Sequence, residues 1–346
     1  MRDVFGYDSV QYNDSTQSMI ILDQTLLPEK ESFITIDNED LLKDAINKLQ
    51  VRGAPAIGIA AAIGSAVLIN KFITTTTAGL IYEFKRLTKE LIALRPTAVN
   101  LKNVLDRLTD FLVKESLVSN IEEIKSLLLK EALKIKEEDI AANIKMANYA
   151  LTLLKPGDTV LTYCNAGHLA VSRYGTALSP IYLAKEKGID INVYVCETRP
   201  LLQGARLTAY ELNKAGVNFT LICDNMVAHL MSQGKIDAVI TGCDRIATNG
   251  DTANKIGTQT LSICASHYKI PHYIIGPSTT IDANCASGSQ IVIEERESAE
   301  VTEMWYKKRM APDGIKVFNP AFDITPAKLI SAIITETGIH KFPYKF

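Results

Sequence analysis

In the first third of the chain, apolar residues recur three and four positions apart. Leu42, Ala45, Ile46 and Leu49 fall on one face at that spacing, as do Val104, Leu105, Leu108, Phe111 and Leu112, so both stretches are expected to be helical. Between them, the run from Ala54 to Asn70 is apolar all round and broken only by Gly58, Gly64 and Ser65. It falls short of the roughly 20 residues that cross a bilayer and reads as a helix buried in a protein core. Thr74-Thr75-Thr76-Thr77 reads as a loop. From Ile121 to about Leu154, Lys, Glu, Leu and Ala continue without Pro or Gly, a long helical segment that carries the chain from one domain into the next.

After Pro156-Gly157 the pattern changes. Short apolar runs at Thr159 to Tyr163, Ile191 to Val195, Phe219 to Ile222, Ala238 to Ile240 and Tyr273 to Ile275 alternate with helical stretches. Connections of that length imply right-handed crossovers, hence an α/β fold with an open parallel sheet, doubly wound with helices on both faces. The expected division is a small, mainly helical N-terminal domain over residues 1–122 and a parallel-sheet domain over 123–346. Ligands of such sheets bind outside the carboxyl ends of the strands. Those ends bring four polar or reactive pairs to one rim: Cys164-Asn165, Cys196-Glu197, Asp224-Asn225 and Cys243-Asp244. Some of them fit helix capping equally well, Asp224 in particular.

Composition narrows the picture. With 37 basic and 39 acidic residues in 346, the chain offers no electrostatic reason to expect a nucleic-acid or membrane partner, and any anion must be held locally. The N-terminal residues, Met1 to Asp8, lack the apolar stretch of an export signal. The six cysteines are never closer than 20 residues apart, so none form a CxxC pair, and a reduced, cytoplasmic setting is expected. The five histidines include no HxH or HExxH arrangement, which supports neither a metal site nor a Ser-His-Asp triad. Among them, His168 follows the Cys164 loop and is expected at the rim.

Several residues are placed to do chemistry. Arg52 and Gly53 precede Pro55 at the start of the apolar helix, where free N–H groups and a guanidinium make an anion site; an ordinary loop-to-helix transition fits the same pattern. Arg95 stands before Pro96 in the same manner. Cys164 ends a strand and leads into Asn165-Ala166-Gly167, where a thiol near a helix N-terminus acquires thiolate character; a packing role is the alternative. Asp244 follows the run Ala238 to Cys243, and a carboxyl on the lip of a low-dielectric site can keep its proton and act as an acid, unless Arg245 pairs with it. Asn254 and Lys255, expected to begin a helix, are candidate phosphate donors.

Longer segments resemble a known family. They are Val51-Arg52-Gly53-Ala54-Pro55-Ala56-Ile57-Gly58, Arg95-Pro96-Thr97-Ala98-Val99-Asn100, Cys164-Asn165-Ala166-Gly167, Glu197-Thr198-Arg199-Pro200 with Gln203 to Thr208, and Asp244 to Ala247 with Asn249 to Thr258. All resemble the methylthioribose 1-phosphate isomerases, and the likeness runs on through Ile293 to Arg296 and Asn319 to Pro326. The resemblance implies a Rossmann-like C-terminal domain, a homodimer and a pentose 1-phosphate substrate converted without a cofactor. It assigns Arg52, Gly53, Ala54, Arg95, Gln203, Asn254 and Lys255 to substrate binding, and Cys164 and Asp244 to catalysis.

The chain departs from the family pattern in three places. Gly276-Pro277-Ser278-Thr279-Thr280-Ile281-Asp282 stands where Ala-Pro-Leu-Ser-Thr-Phe-Asp is common, Tyr12 where a Trp is common, and His168 where a small residue is expected. A 5-deoxyribose 1-phosphate isomerase is the nearest alternative. Non-catalytic regulatory subunits of a translation-initiation exchange factor share the fold, and a regulatory sugar-phosphate-binding module remains the non-enzyme alternative. A nicotinamide-dependent dehydrogenase is disfavoured, because Asn165-Ala166-Gly167 stands where GxGxxG would follow the first strand.

Overall fold

The computed structural model describes residues 4–95, 99–117 and 120–346. Its contacts divide it into two compact units. One is formed by the chain up to Ile144 together with Gly167–Gly175, the other by Lys145–Ala166 and Thr176–Phe346.

The first unit opens with an antiparallel sheet absent from the helical expectation: β1 (Val10–Asn13), β2 (Ser18–Leu22) and β3 (Phe33–Ile36). These strands are too short for a strong period-two signal, and their register depends on a local turn. Asn13 Oδ1 accepts from the N–H groups of Ser15 and Thr16 at 3.0 and 3.3 Å, an Asx turn that reverses the chain.

Helices follow: α1 (Glu39–Asn47), α2 (Ala54–Lys71), α3 (Thr77–Leu94), α4 (Val99–Glu115) and α5 (Ile121–Leu151). Asn38 caps α1 by accepting from Leu41 N–H, and Thr76, in the expected threonine loop, caps α3 by accepting from Gly79 N–H. Helix α2 is long and apolar enough to cross a membrane, but it is buried without a break from Ala56 to Val67. It packs against α1, α3, α4 and the strands β1 and β2, which explains why it has no polar stripe.

The long helix α5 appears where the uninterrupted Lys/Glu/Leu/Ala stretch placed it. Its early residues Ile124, Leu128, Ala132 and Ile135 join the core of the first unit. The contacts therefore divide within α5, after Ile144, and not at residue 122, the start of the helix. Gly167–Gly175 also belongs to this first unit, a return that no periodicity signals. Gln24 Nε2 donates to the Leu169 carbonyl at 2.8 Å and Asn143 Nδ2 to that of Arg173 at 3.1 Å. The Asp8 carboxylate receives both Lys136 and Arg173.

The second unit contains β4 (Thr159–Thr162), α6 (Ser179–Glu186), β5 (Asn192–Cys196), α7 (Ala209–Lys214), β6 (Phe219–Ile222), α8 (Val227–Ser232) and β7 (Ala238–Thr241). Then come β8 (Arg245–Ala247), β9 (Thr252–Lys255), α9 (Thr258–His267), β10 (His272–Ile275), β11 (Ile281–Asp282), β12 (Phe322–Thr325), β13 (Ala332–Thr335) and β14 (Gly338–His340). The five expected strands are all present as β4, β5, β6, β7 and β10. They lie in a seven-stranded sheet of order β14-β13-β10-β7-β4-β5-β6, parallel except for β14 at one edge.

A second sheet, β11-β8-β9-β12, was not expected. Its strand β9 includes Asn254 and Lys255, which were expected to begin a helix. It is fully buried, because Thr252 and Lys255 find carbonyl partners and Asn254 finds a hydroxyl. Asn254 and Lys255 therefore end a strand, and the helix begins three residues later, at Thr258.

Candidate active site

The four polar pairs read from the strand ends lie on one edge of the sheet. Strands β7, β4, β5 and β6 are consecutive parallel neighbours, with Thr162 opposite Ile240 and Val195, and Cys196 opposite Ile222. Neighbouring strands lie about 4.8 Å apart, so Cys164, just past β4, and Asp244, just past β7, leave adjacent strand ends. Close backbone packing links their loops. A side chain on Gly242 would put its Cβ 2.6 Å from that of Ala166, so only glycine fits there.

Cys164 is half-buried and adopts a left-handed backbone conformation, with φ 61°. That conformation costs a non-glycine residue roughly 1–2 kcal/mol, so its surroundings must impose it. Its N–H donates to Thr198 Oγ1 at 2.9 Å, and its carbonyl accepts from Thr208 Oγ1 at 2.6 Å. No α-helix follows the Cys164 loop directly. Beyond Ala166 the chain passes into Gly167–Gly175, and α6 begins only at Ser179.

Behind the Cys164 loop, Asn165 Nδ2 donates to the fully buried Glu211 at 2.7 Å, and Tyr182 donates to the other carboxylate oxygen at 2.7 Å. At the end of β6, Asp224 accepts from the N–H groups of Thr198 and Arg199 at 2.8 and 2.7 Å. Asp224 thus caps a loop from the neighbouring strand, and burial raises its pKa.

Asp244 N–H donates to the Ala253 carbonyl at 2.9 Å, which brings the acid beside β9. Arg245 pairs with Asp282 at 2.9 Å. The adjoining thiol of Cys243 is pushed well up by burial and by Asp244, which keeps it protonated. Asn254 donates to Thr258 Oγ1 at 3.0 Å, and Lys255 Nζ donates to the Ala321 carbonyl at 3.0 Å and lies 4.6 Å from the centre of the Phe322 ring. Gln203 stands at the head of a π-helical turn, Gly204–Thr208, with its buried Oε1 lacking a partner among the described residues. Such turns concentrate at functional sites. In the second unit Cys164 and Asp244 thus leave neighbouring strand ends, Gln203 lies on the loop after β5, and Asn254 and Lys255 end β9 in the second sheet.

The remaining sequence candidates belong to the first unit. Gly53 caps α2 with φ 92°, and a Cβ there would meet the Ala170 carbonyl oxygen at 2.3 Å, so the backbone before α2 requires glycine. Arg52 and Ala54 flank it, and Arg95 ends α3. Pro96, Thr97 and Ala98, quoted above in the family motif, lie outside the described residues. His168 corrects its expectation. It is fully buried, with its ring stacked on Phe5 at 4.2 Å and edge-on to Tyr7, because the segment after Gly167 folds into the first unit rather than staying at the rim.

Thr198, Thr208 and Glu211 shape the rim without having been singled out as site residues. The two threonines lie inside quoted motifs, and Glu211 is recognisable in retrospect as a lone acid four residues after the apolar Leu207.

Residues 50–342 match the model of the Initiation factor 2 subunit family. The chain belongs to that family. It is 56% identical over 330 residues to the methylthioribose-1-phosphate isomerase of Parabacteroides distasonis, spanning 95% of this chain and 98% of that protein. It is 51% identical to the 5-deoxyribose 1-phosphate isomerase of Petrotoga mobilis, spanning 97% and 96%. The crystal structure of 5-methylthioribose 1-phosphate isomerase from Pyrococcus horikoshii superposes with a TM-score of 0.90 at 40% identity, covering 98% of this chain and 94% of that one.

Proposed function

We propose that the chain is an aldose–ketose isomerase that converts 5-methylthioribose 1-phosphate into 5-methylthioribulose 1-phosphate. The observation that carries this is 56% identity, along nearly the whole of both chains, to a methylthioribose-1-phosphate isomerase. The placement of Cys164 and Asp244 just past adjacent parallel strands agrees with it.

The phosphate on C1 locks the sugar ring, which the enzyme must open. Asp244 supplies a proton to the ring oxygen as the C1–O bond breaks. Cys164 then assists the move of hydrogen from C2 to C1, while the C2 hydroxyl becomes the carbonyl and its proton returns to the Asp244 carboxylate, which restores the acid. C2 is oxidised and C1 reduced within one molecule, so the electrons balance without an external acceptor and no cofactor enters the scheme. Gln203, Asn254 and Lys255 hold the substrate. Arg52, Gly53, Ala54 and Arg95 are assigned to substrate binding on the resemblance alone. A Rossmann-like doubly wound arrangement for the second unit, a homodimer and a cytoplasmic setting without nucleic-acid or membrane partners complete the proposal.

A 5-deoxyribose 1-phosphate substrate is the second reading, favoured by the 51% identity to the Petrotoga mobilis enzyme. NMR of the purified protein with the 1-phosphates of methylthioribose, 5-deoxyribose and ribose 5-phosphate separates the two. The expected result is ketose formation without added cofactor and the highest kcat/KM for the methylthio substrate. A missing methylthio group is worth about 1–3 kcal/mol. Binding without conversion of any of the three would point to a regulatory module instead.

A further inference from the structure

We infer that Thr198 and Thr208 are positioning residues that clamp the backbone of Cys164 and so aim its thiol. The inference rests on the reading of Cys164 as a reacting group. Neither the N–H nor the carbonyl of Cys164 enters the sheet, because β4 ends at Thr162. Both are taken up by threonine hydroxyls, at 2.9 and 2.6 Å, one from each end of the loop that joins β5 to α7.

Each hydroxyl is fixed from behind. Thr198 Oγ1 donates to the Cys196 carbonyl at 3.0 Å, which leaves its lone pair for the Cys164 N–H, and Asp224 holds the Thr198 backbone. Thr208 Oγ1 accepts from Asn165 Nδ2 at 3.3 Å, which leaves its one proton for the Cys164 carbonyl; that asparagine is anchored in turn on Glu211. Thr198, Thr208 and Glu211 are fully buried, so no solvent competes for these bonds.

The clamp works against the local backbone preference. Released from it, Cys164 relaxes toward extended backbone, and alternation along β4 then turns its side chain onto a buried face of the parallel sheet. A thiol displaced by about 1 Å from a reacting carbon loses up to about 100-fold in rate.

The test removes the hydroxyls and keeps the shape. Thr198→Val and Thr208→Val are expected to lower kcat about 10- to 100-fold with KM changed by less than about 2-fold, because they misplace the reacting group and not the bound sugar. Thr198→Ser and Thr208→Ser, which retain the hydroxyl, recover kcat to within about 3-fold of the native rate. In parallel, the rate of Cys164 alkylation by iodoacetamide, followed on its own peptide, falls several-fold in the valine variants and recovers in the serine variants. Should a valine variant fail to fold, Thr198→Ala and Thr208→Ala, which leave space instead of bulk, give the same reading. Valine variants with native kcat and native alkylation, or serine variants as impaired as valine ones, would overturn the clamp. Cys164→Ser separates the two levels. If it retains full turnover, the catalytic assignment fails. If the native protein converts no sugar phosphate, the alkylation rates still decide whether the threonines orient the thiol.

Discussion

Around α2, side chains are buried evenly for three turns, and apart from Ser65 the buried residues from Ala56 to Val67 are alanine, isoleucine, valine and glycine. At the carboxyl ends of β4 and β5, two non-glycine residues, Cys164 and Thr198, are held at φ 61° and 67°, and the buried groups around them are hydroxyls, an amide and carboxylates. The first region is stabilised by apolar area removed from water. The second spends some of that stability on holding polar groups in unfavourable backbone conformations, as functional sites tend to do. Substitutions should therefore split cleanly, with packing changes around α2 lowering stability and polar changes at the rim lowering turnover.

The largest expected effect is at the rim. Cys164→Ser and Asp244→Asn should each lower kcat by at least about 10²–10⁴-fold, the usual worth of positioned acid–base groups. Thermal melts of both should stay close to that of the native protein, since neither exchange changes side-chain bulk much. Near-native turnover in either variant would remove that residue from the reaction. A large fall in melting temperature would instead show that the rim carries stability, and the contrast with α2 would dissolve.

The converse experiment belongs to the first unit. Phe84 on α3 is fully buried in the helical core, and Phe84→Ala should cost about 3–5 kcal/mol in denaturant unfolding of that unit. Turnover per folded molecule should hold. Loss of kcat in the folded fraction would mean that the core around α2 contributes to catalysis beyond its stability.

The same contrast decides what was legible in the sequence. Helix α2 and strands β4, β5, β6, β7 and β10 announce themselves through burial, which leaves a hydrophobic run in the chain, and α5 through an unbroken stretch of helix formers. That Cys164 and Asp244 follow neighbouring strands was also readable, because both come soon after such runs. What escaped was whatever depends on polar satisfaction in three dimensions. Strand β9 is composed of Thr, Ala, Asn and Lys and looks like a loop until the partners of its side chains are known. His168 looks like a rim residue until Phe5 and Tyr7 arrive from far along the chain to cover it. The threonine clamp joins residues more than 30 positions apart, and no local pattern encodes it.

A smaller effect tests a polar group set inside the sheet. His272 on β10 is fully buried, with Thr241 Oγ1 2.9 Å from Nε2 and Ser262 Oγ 2.8 Å from Nδ1. Burial pushes its pKa down to about 3. Between an ordinary value near 6.5 and about 3, the unfolded chain binds a proton that the folded one refuses, so stability falls as pH falls through that window. At pH 5 the loss relative to pH 7 is about 2 kcal/mol. Denaturant midpoints measured across pH 4–7 should show this slope, and His272→Gln should flatten it. An unchanged slope in the variant would transfer the effect to other groups.

The smallest effect lies on the surface of the helical unit. Arg86 on α3 bridges Glu39, Glu83 and Glu90 at 2.6–2.8 Å, and Lys43 joins Glu39 and Glu90. The Arg86 hydrogen bond, outweighing partial burial, lowers the pKa of Glu39 to about 2. That contribution is present above the ordinary carboxylate range and is lost as pH falls toward 2. The groups are partly exposed, so solvent screens them, and Arg86→Met should cost no more than about 1 kcal/mol, less in 1 M salt than in dilute buffer. A larger, salt-insensitive loss would mean that the arginine stem packs as part of the core, and that the apolar logic of α2 extends outward to the charged face of α3.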